Sequence, residues 1–204
     1  MSDSNTNINE REAHEVFARQ AWRNLREKIY NIEGLAISNI VWIEGCPGCV
    51  CHQLDTVAGV DALLTTWRGQ EGVYGLAFRS QLHEVEAPYK GTFTIRRTVT
   101  SNLKTEIDKR LASLTNGSLA PQYMCHMYWR NVGGWDRVSE HRYKPEYGAI
   151  AKTADVLQAL LEAKNPPIGK APDGNAFFIV PFNTVPNIHW HDWSTPQEPA
   201  HAQL

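Results

Sequence analysis

The chain reads as an α/β or α+β domain with a mixed central β-sheet flanked by helices. Three observations predict this class. Apolar residues recur at helical spacing in well-separated stretches. Short runs rich in β-branched and aromatic residues lie between those stretches. The two kinds of segment interleave along the chain instead of segregating, which is the order a layered mixed sheet produces.

The elements follow in sequence. Residues 1–9 are polar and read as a disordered lead. From Glu10 to Glu33, Ala13, Val16, Phe17, Ala21, Leu25 and Ile29 mark an amphipathic helix that Gly34 ends. Leu35 to Ile43 reads as a buried strand, and a cysteine-rich turn follows. Val57–Trp67 and Val73–Gln81 flank the turn residues Arg68-Gly-Gln-Glu-Gly72 and predict an antiparallel hairpin. Gly91 to Val99 alternates and predicts a further strand. Lys104 to Leu114 carries Ile107, Leu111 and Leu114 on one face, a helix stopped near Asn116-Gly117. Tyr123–Trp129 predicts a strand, Thr153–Lys164 a helix closed by Pro166-Pro167, and Phe177–Val180 a short buried strand. Neither a repeat nor a long linker divides the chain, so residues 10–194 are expected to form one domain, with a frayed tail at 195–204.

Composition bounds the function. Of the 204 residues, 42% are hydrophobic and 21% charged, an ordinary globular balance. No apolar run reaches the roughly 20 residues of a membrane helix, and Met1–Glu10 lacks the apolar core of a secretion signal. The expected location is therefore the cytoplasm, with no membrane partner. A net charge of −2 argues against a polycation that coats nucleic acid, yet permits a local basic face. Seven tryptophans serve packing or base stacking.

The most informative stretch runs from Leu54 to Gln81. Asp61 sits among Val60, Ala62, Leu63 and Leu64, where a carboxylate needs a partner or a cation. Across the hairpin, Ala77 and Arg79 occupy one face of the next strand. An acid beside a cation suits magnesium-dependent phosphodiester hydrolysis, in which carboxylates hold the metal and a cation stabilises the phosphorane. It equally suits a structural Asp–Arg pair tying two strands together. Arg79, Arg96, Arg97, Lys104, Lys109 and Arg110 could form a phosphate-facing surface, or a solvated face diluted by Glu106 and Asp108.

Asp55…Gly59-Val-Asp61, Val73-Tyr-Gly-Leu-Ala-Phe-Arg79-Ser-Gln81, Thr92-Phe-Thr-Ile-Arg96 and Thr105-Glu-Ile-Asp-Lys-Arg110 carry a resemblance in order and spacing over residues 54–130. This run resembles uncharacterised phage proteins with a PD-(D/E)XK nuclease-like core. The resemblance implies a restriction-endonuclease-like fold: a leading helix, a three-stranded antiparallel meander, a helix and a further strand. It implies DNA as partner, Mg2+ as cofactor, and the host cytoplasm as location for a phage-encoded protein. By position Asp61 becomes the metal-binding aspartate, Arg79 replaces the family's lysine, and Glu106, Lys109 and Arg110 lie on the accessory helix. Arg96 and Arg97 with Lys109 and Arg110 would position the backbone of the DNA. The family's second acid should stand two residues before the cation, where this chain has Ala77. Gln81, Glu71, Asp55 or Glu33 would then have to supply that ligand. Otherwise the site is degenerate, and the chain is a DNA- or protein-binding module, for instance one that blocks a host enzyme.

Two further clusters stand out. Cys46-Pro-Gly-Cys49-Val-Cys51-His52 is similar to a zinc-ribbon knuckle, which would make a zinc-stabilised interaction protein, although the second Cys-x-x-Cys is missing. Cys125, His126, His189 and His191 are candidate completions of such a Zn2+ site. Its spacing also resembles the iron or cobalt claw of nitrile hydratases and thiocyanate hydrolases, and unligated thiols are the plain alternative. A thioredoxin-type redox pair lacks the long helix that should follow the turn. In Ile188-His-Trp-His-Asp-Trp193 the two histidines share a face, as a metal pair or as wet residues of an edge strand.

Overall fold

The computed structural model describes residues 37–43, 54–66, 72–84, 91–97, 105–117, 119–131, 145–170 and 174–192. The leading helix, the cysteine turn, Glu33, Glu71, Lys104 and both chain ends lie outside the described residues. Within them the chain forms nine strands and two α-helices. The strands are β1 (Ile37–Trp42), β2 (Ala62–Thr66), β3 (Val73–Glu84), β4 (Thr92–Arg96), β5 (Tyr123–Asn131), β6 (Pro145–Lys152), β7 (Ile168–Lys170), β8 (Ala176–Pro181) and β9 (His189–Asp192). The helices are α1 (Glu106–Asn116) and α2 (Thr153–Glu162).

A six-stranded sheet runs in the order β1-β2-β3-β5-β6-β9. Its pairs are antiparallel except β3 with β5, which are parallel, with Arg79 beside His126 in the register. A parallel pair needs a crossover connection, and the segment carrying β4 and α1 provides it. The architecture is thus mixed α/β with a mixed central sheet. A second, antiparallel sheet in the order β4-β8-β7 was not expected. β4 therefore does not extend the hairpin, because β5 already holds the free edge of β3; it pairs instead with β8, Arg96 opposite Phe177.

The central strands explain their own positions. In β5, Met124, Cys125, His126, Met127 and Tyr128 are all buried, so both faces of this strand are covered. Alternation puts Met124, His126 and Tyr128 on the Ala77 and Arg79 side, and Cys125 and Met127 on the Leu76 side. The first side forms the main core, where Ala77, Phe93, Ile95 and Ile107 meet Val156, Leu157 and Leu160 of α2. Gly75 lies where a Cβ would come within 3.0 Å of Val60 and 3.2 Å of the Pro121 backbone, so only glycine fits there without movement. On the opposite side Trp42 packs edge-on against Phe78 with ring centroids 5.7 Å apart, a packing role for one of the tryptophans.

Three expectations are corrected. The run from Val57 is not strand from its start: Leu54–Ala58 is a turn of π-helix and β2 begins at Ala62, so Asp61 precedes the strand. β6 was not foreseen, since Pro145, Gly148, Ala149 and Ala151 are weak strand formers, yet Ala149, Ile150 and Ala151 are buried and zipped between β5 and β9. β7 was also missed.

Helix α1 starts two residues later than its periodicity suggests, at a reciprocal cap. The Thr105 hydroxyl accepts from the Asp108 N–H at 3.2 Å, and the Asp108 carboxylate accepts from the Thr105 N–H at 3.0 Å. Gly117 ends the helix in the left-handed conformation at φ 69°, as the Asn-Gly signal foretells. Thr105→Ala is expected to cost about 1 kcal/mol, measured by urea denaturation. Among the described residues no helix is long and apolar enough to cross a membrane.

Candidate nucleic-acid interface

The site is a knot of charge where β3, β4 and α1 meet. Glu106, in the first turn of α1, is its centre. One carboxylate oxygen accepts from Arg110 Nη2 at 2.7 Å, an i,i+4 pair on the same helix. The other accepts from the Arg96 backbone N–H at 2.7 Å and lies 3.4 Å from Arg79 Nη2. Arg79 also donates through Nη1 to the Thr94 hydroxyl at 2.7 Å. Its neighbour in the register, His126, stacks on Tyr128 at 4.8 Å, and the Tyr128 hydroxyl donates to the Thr92 carbonyl at 2.8 Å.

Aromatic rings hold the guanidiniums. Arg79 and Arg96 both lie over the Phe177 ring, at 5.3 and 5.8 Å from its centroid, and Arg97 lies over Phe178 at 5.4 Å. Arg97 is exposed, and Arg79, Arg96 and Lys109 are half-buried. Flat cations fixed on rings at a surface have already lost rotamer freedom, so they bind phosphate oxygens at a lower entropic cost.

The electrostatics follow from this crowding. Burial pushes the Glu106 carboxyl up, but the Arg110 and Arg79 guanidiniums, the Arg110 hydrogen bond and the Arg96 N–H outweigh it and hold the group at about 2. His126 is 1% exposed, and neither ring nitrogen makes a hydrogen bond of good geometry. Burial, with the Arg79 cation beside it, pushes its pKa down to about 3, against weaker opposing pulls from Thr92 and Glu106. The imidazole is therefore neutral at pH 7.

That depressed value fixes a sign. Between pH 6.5 and 3 the unfolded chain takes up a proton at this position that the folded chain refuses, so stability falls as pH drops through that window. From pH 7 to pH 5 the residue should remove about 2 kcal/mol. His126→Phe should abolish this part of the pH dependence, measured by urea denaturation at both values.

The sequence-derived candidates separate into those the fold brings together and those it does not. Arg79, Glu106, Arg96 and Arg110 share the knot. Arg110 is 2% exposed and turned towards Glu106, so it does not present its guanidinium on the outer face as expected. Gln81 is exposed, one alternation beyond Arg79 on the same side of β3. Asp61 is tied to the β3 backbone: its N–H donates to the Leu76 carbonyl, and its Oδ2 accepts from the Phe78 N–H at 2.5 Å. The aspartate thereby stands in for a strand acceptor at the end of β2. Asp55 falls in the turn before it.

The sequence reading missed Thr94 and Phe177 as members of the site. Arg96 on the alternating β4 was the available signal for the first; the second pairs with it from far along the chain.

No family model matches the chain, and neither a curated protein nor a solved structure matches it.

The fit to the implied metals can be judged from the residues themselves. A magnesium centre of this kind needs two acids flanking the cation. Ala77, where the second belongs, is buried in the apolar core with Phe93, Ile95 and Ile107, and one oxygen of Asp61 is taken by a backbone N–H. The described residues do not fit that centre. Cys46, Cys49, Cys51 and His52 lie outside the described residues. Of their candidate completions, Cys125 and His126 project from opposite faces of β5 and cannot ligate one ion together. Burial also pushes the Cys125 thiol far up, which keeps it protonated. His189 and His191 lie on β9, which pairs with β6 and is the edge of the sheet among the described residues.

Proposed function

We propose that this protein binds DNA through the Arg79–Arg96–Arg97 face, on a nuclease-like core with Ala77 at the position of the second metal-binding acid. The observation that carries the reading is the ring-mounted arginine cluster: three guanidiniums held over Phe177 and Phe178 at the junction of β3, β4 and β8. Supporting it is the path of the chain. The β2-β3 hairpin, the helix α1 and a strand parallel to β3 come in the order that the resemblance implies, whereas Thr92–Arg96, the third meander strand of that expectation, pairs with β8 instead. Ala77 in the apolar core favours binding without cleavage over hydrolysis.

The test is binding of short DNA, single- and double-stranded, by fluorescence anisotropy in EDTA across a salt series. Affinity should fall with salt with a log–log slope of about −2 to −3, from three phosphate contacts at roughly 0.7 to 0.9 each. Binding that is undetectable at low salt would reject the reading.

A further inference from the structure

The knot holds more positive charge than it needs for its own structure. Arg79 and Arg110 pair with the Glu106 carboxylate, and the Arg96 guanidinium lies over the same Phe177 ring as that of Arg79: among the described residues of the cluster, three guanidiniums stand against one carboxylate, an excess of two charges. Several donors in it are buried and unused. Arg110 is almost wholly buried, yet its Nε and Nη1 have no hydrogen-bond partner, and neither does the buried Nε of Arg96. A buried guanidinium with idle N–H groups forfeits their hydration without repayment, so this arrangement favours a bound acceptor. The cluster opens outward where the Arg79 and Glu106 side chains keep 31% and 23% of their exposure.

We infer that this cluster is a receptor for one phosphomonoester, the terminal phosphate of a DNA strand. The inference rests on the DNA-binding reading and narrows its ligand. A backbone phosphodiester carries one negative charge and is flanked by sugars on both sides. A terminal phosphate carries close to two charges at pH 7 and offers three free oxygens. Only the latter matches an excess of two positive charges and can present several oxygens to recessed donors. Arg79 and Arg96, fixed on Phe177, take the oxygens at the mouth, and Arg110 supplies the donors behind them. Glu106 orients Arg79 and Arg110, so it acts as a positioning residue.

The experiment compares one DNA strand bearing a 5′-phosphate, a 3′-phosphate or hydroxyls at both ends, read by anisotropy with an internal label. A strand phosphorylated at one of its ends should bind at least about tenfold more tightly than the hydroxyl strand, the scale of one charge-assisted hydrogen-bond set. Inorganic phosphate should cancel that increment where chloride of equal ionic strength does not. Arg96→Gln, a change at a half-buried side chain that the fold should accept, should remove the increment, and Arg110→Gln should do the same if it folds. Equal affinity for all three strands overturns the inference and leaves DNA binding standing. Binding of inorganic phosphate, seen as a raised Tm, without binding of any strand rejects the DNA reading and keeps the phosphate site. No response to either ligand overturns both.

Discussion

Glu106→Ala should destabilise the protein by about 3–4 kcal/mol, the largest effect expected of any polar substitution among the described residues. The reason is local. Among the described residues Glu106 is the one carboxylate ion-paired with both Arg79 and Arg110, and it also accepts the Arg96 N–H. Without it, Arg110 keeps a full charge at 2% exposure with no counter-ion among the described residues. Removing one partner of a buried pair costs far more than the pair contributed, because the other charge remains desolvated. Guanidinium denaturation at pH 7 reads the effect. A second signature follows from the depressed carboxyl. Its contribution is complete above the ordinary value of 4.5 and is lost as pH falls towards 2, so wild type and variant should converge in acid. A loss below about 1 kcal/mol would mean that Arg110 finds other compensation.

The second large effect concerns binding. Arg96→Ala combined with Arg97→Ala should weaken DNA affinity about 10- to 100-fold at low salt and reduce the salt slope by about 2. Both side chains lie on rings of β8, and among the described residues neither guanidinium is part of an ion pair, so the unfolding midpoint should move little. A fall in affinity without a change of slope would assign these arginines a structural role. Phe177→Leu offers an independent reading, since it removes the ring that holds both Arg79 and Arg96 while keeping an apolar side chain.

How much of this was legible in the sequence depends on the range of the interactions. The β2–β3 hairpin, α1 and α2 were readable because their signals are local: turn residues, caps and apolar period. Thr105 and Gly117 bracket α1 much as the text of the chain implies. The pairing of β4 with β8 was not readable, since its partner lies far along the chain and alternation does not name a partner. β6 was hidden because Gly148, Ala149 and Ala151 are weak strand formers, and it is the pairing with β5 and β9 that makes the segment a strand.

The site shows the same division. Arg79 and Glu106 were both singled out, but as catalytic and accessory residues of a nuclease site, whereas they meet each other. Arg110 was read as an outward phosphate contact. The signal against that was present: it lies three residues after Ile107 and beside Leu111, within the apolar stripe of α1, and four residues after Glu106. Charge type had been given more weight than position on the helix. Asp61 looked like an acid in want of a cation, and the requirement was met in part by the Phe78 N–H, a backbone partner that no spacing rule reveals.

The most direct test of the account is incubation of purified protein with labelled single- and double-stranded DNA in Mg2+, Mn2+ or EDTA, beside an Asp61→Asn variant. Binding and integrity of the DNA are read from the same samples. The account predicts retained complexes of equal affinity in metal and in EDTA, with intact DNA for both proteins. Metal-dependent cleavage that disappears with Asp61→Asn would contradict it, and would mean that an acid from a position other than 77 completes a working centre.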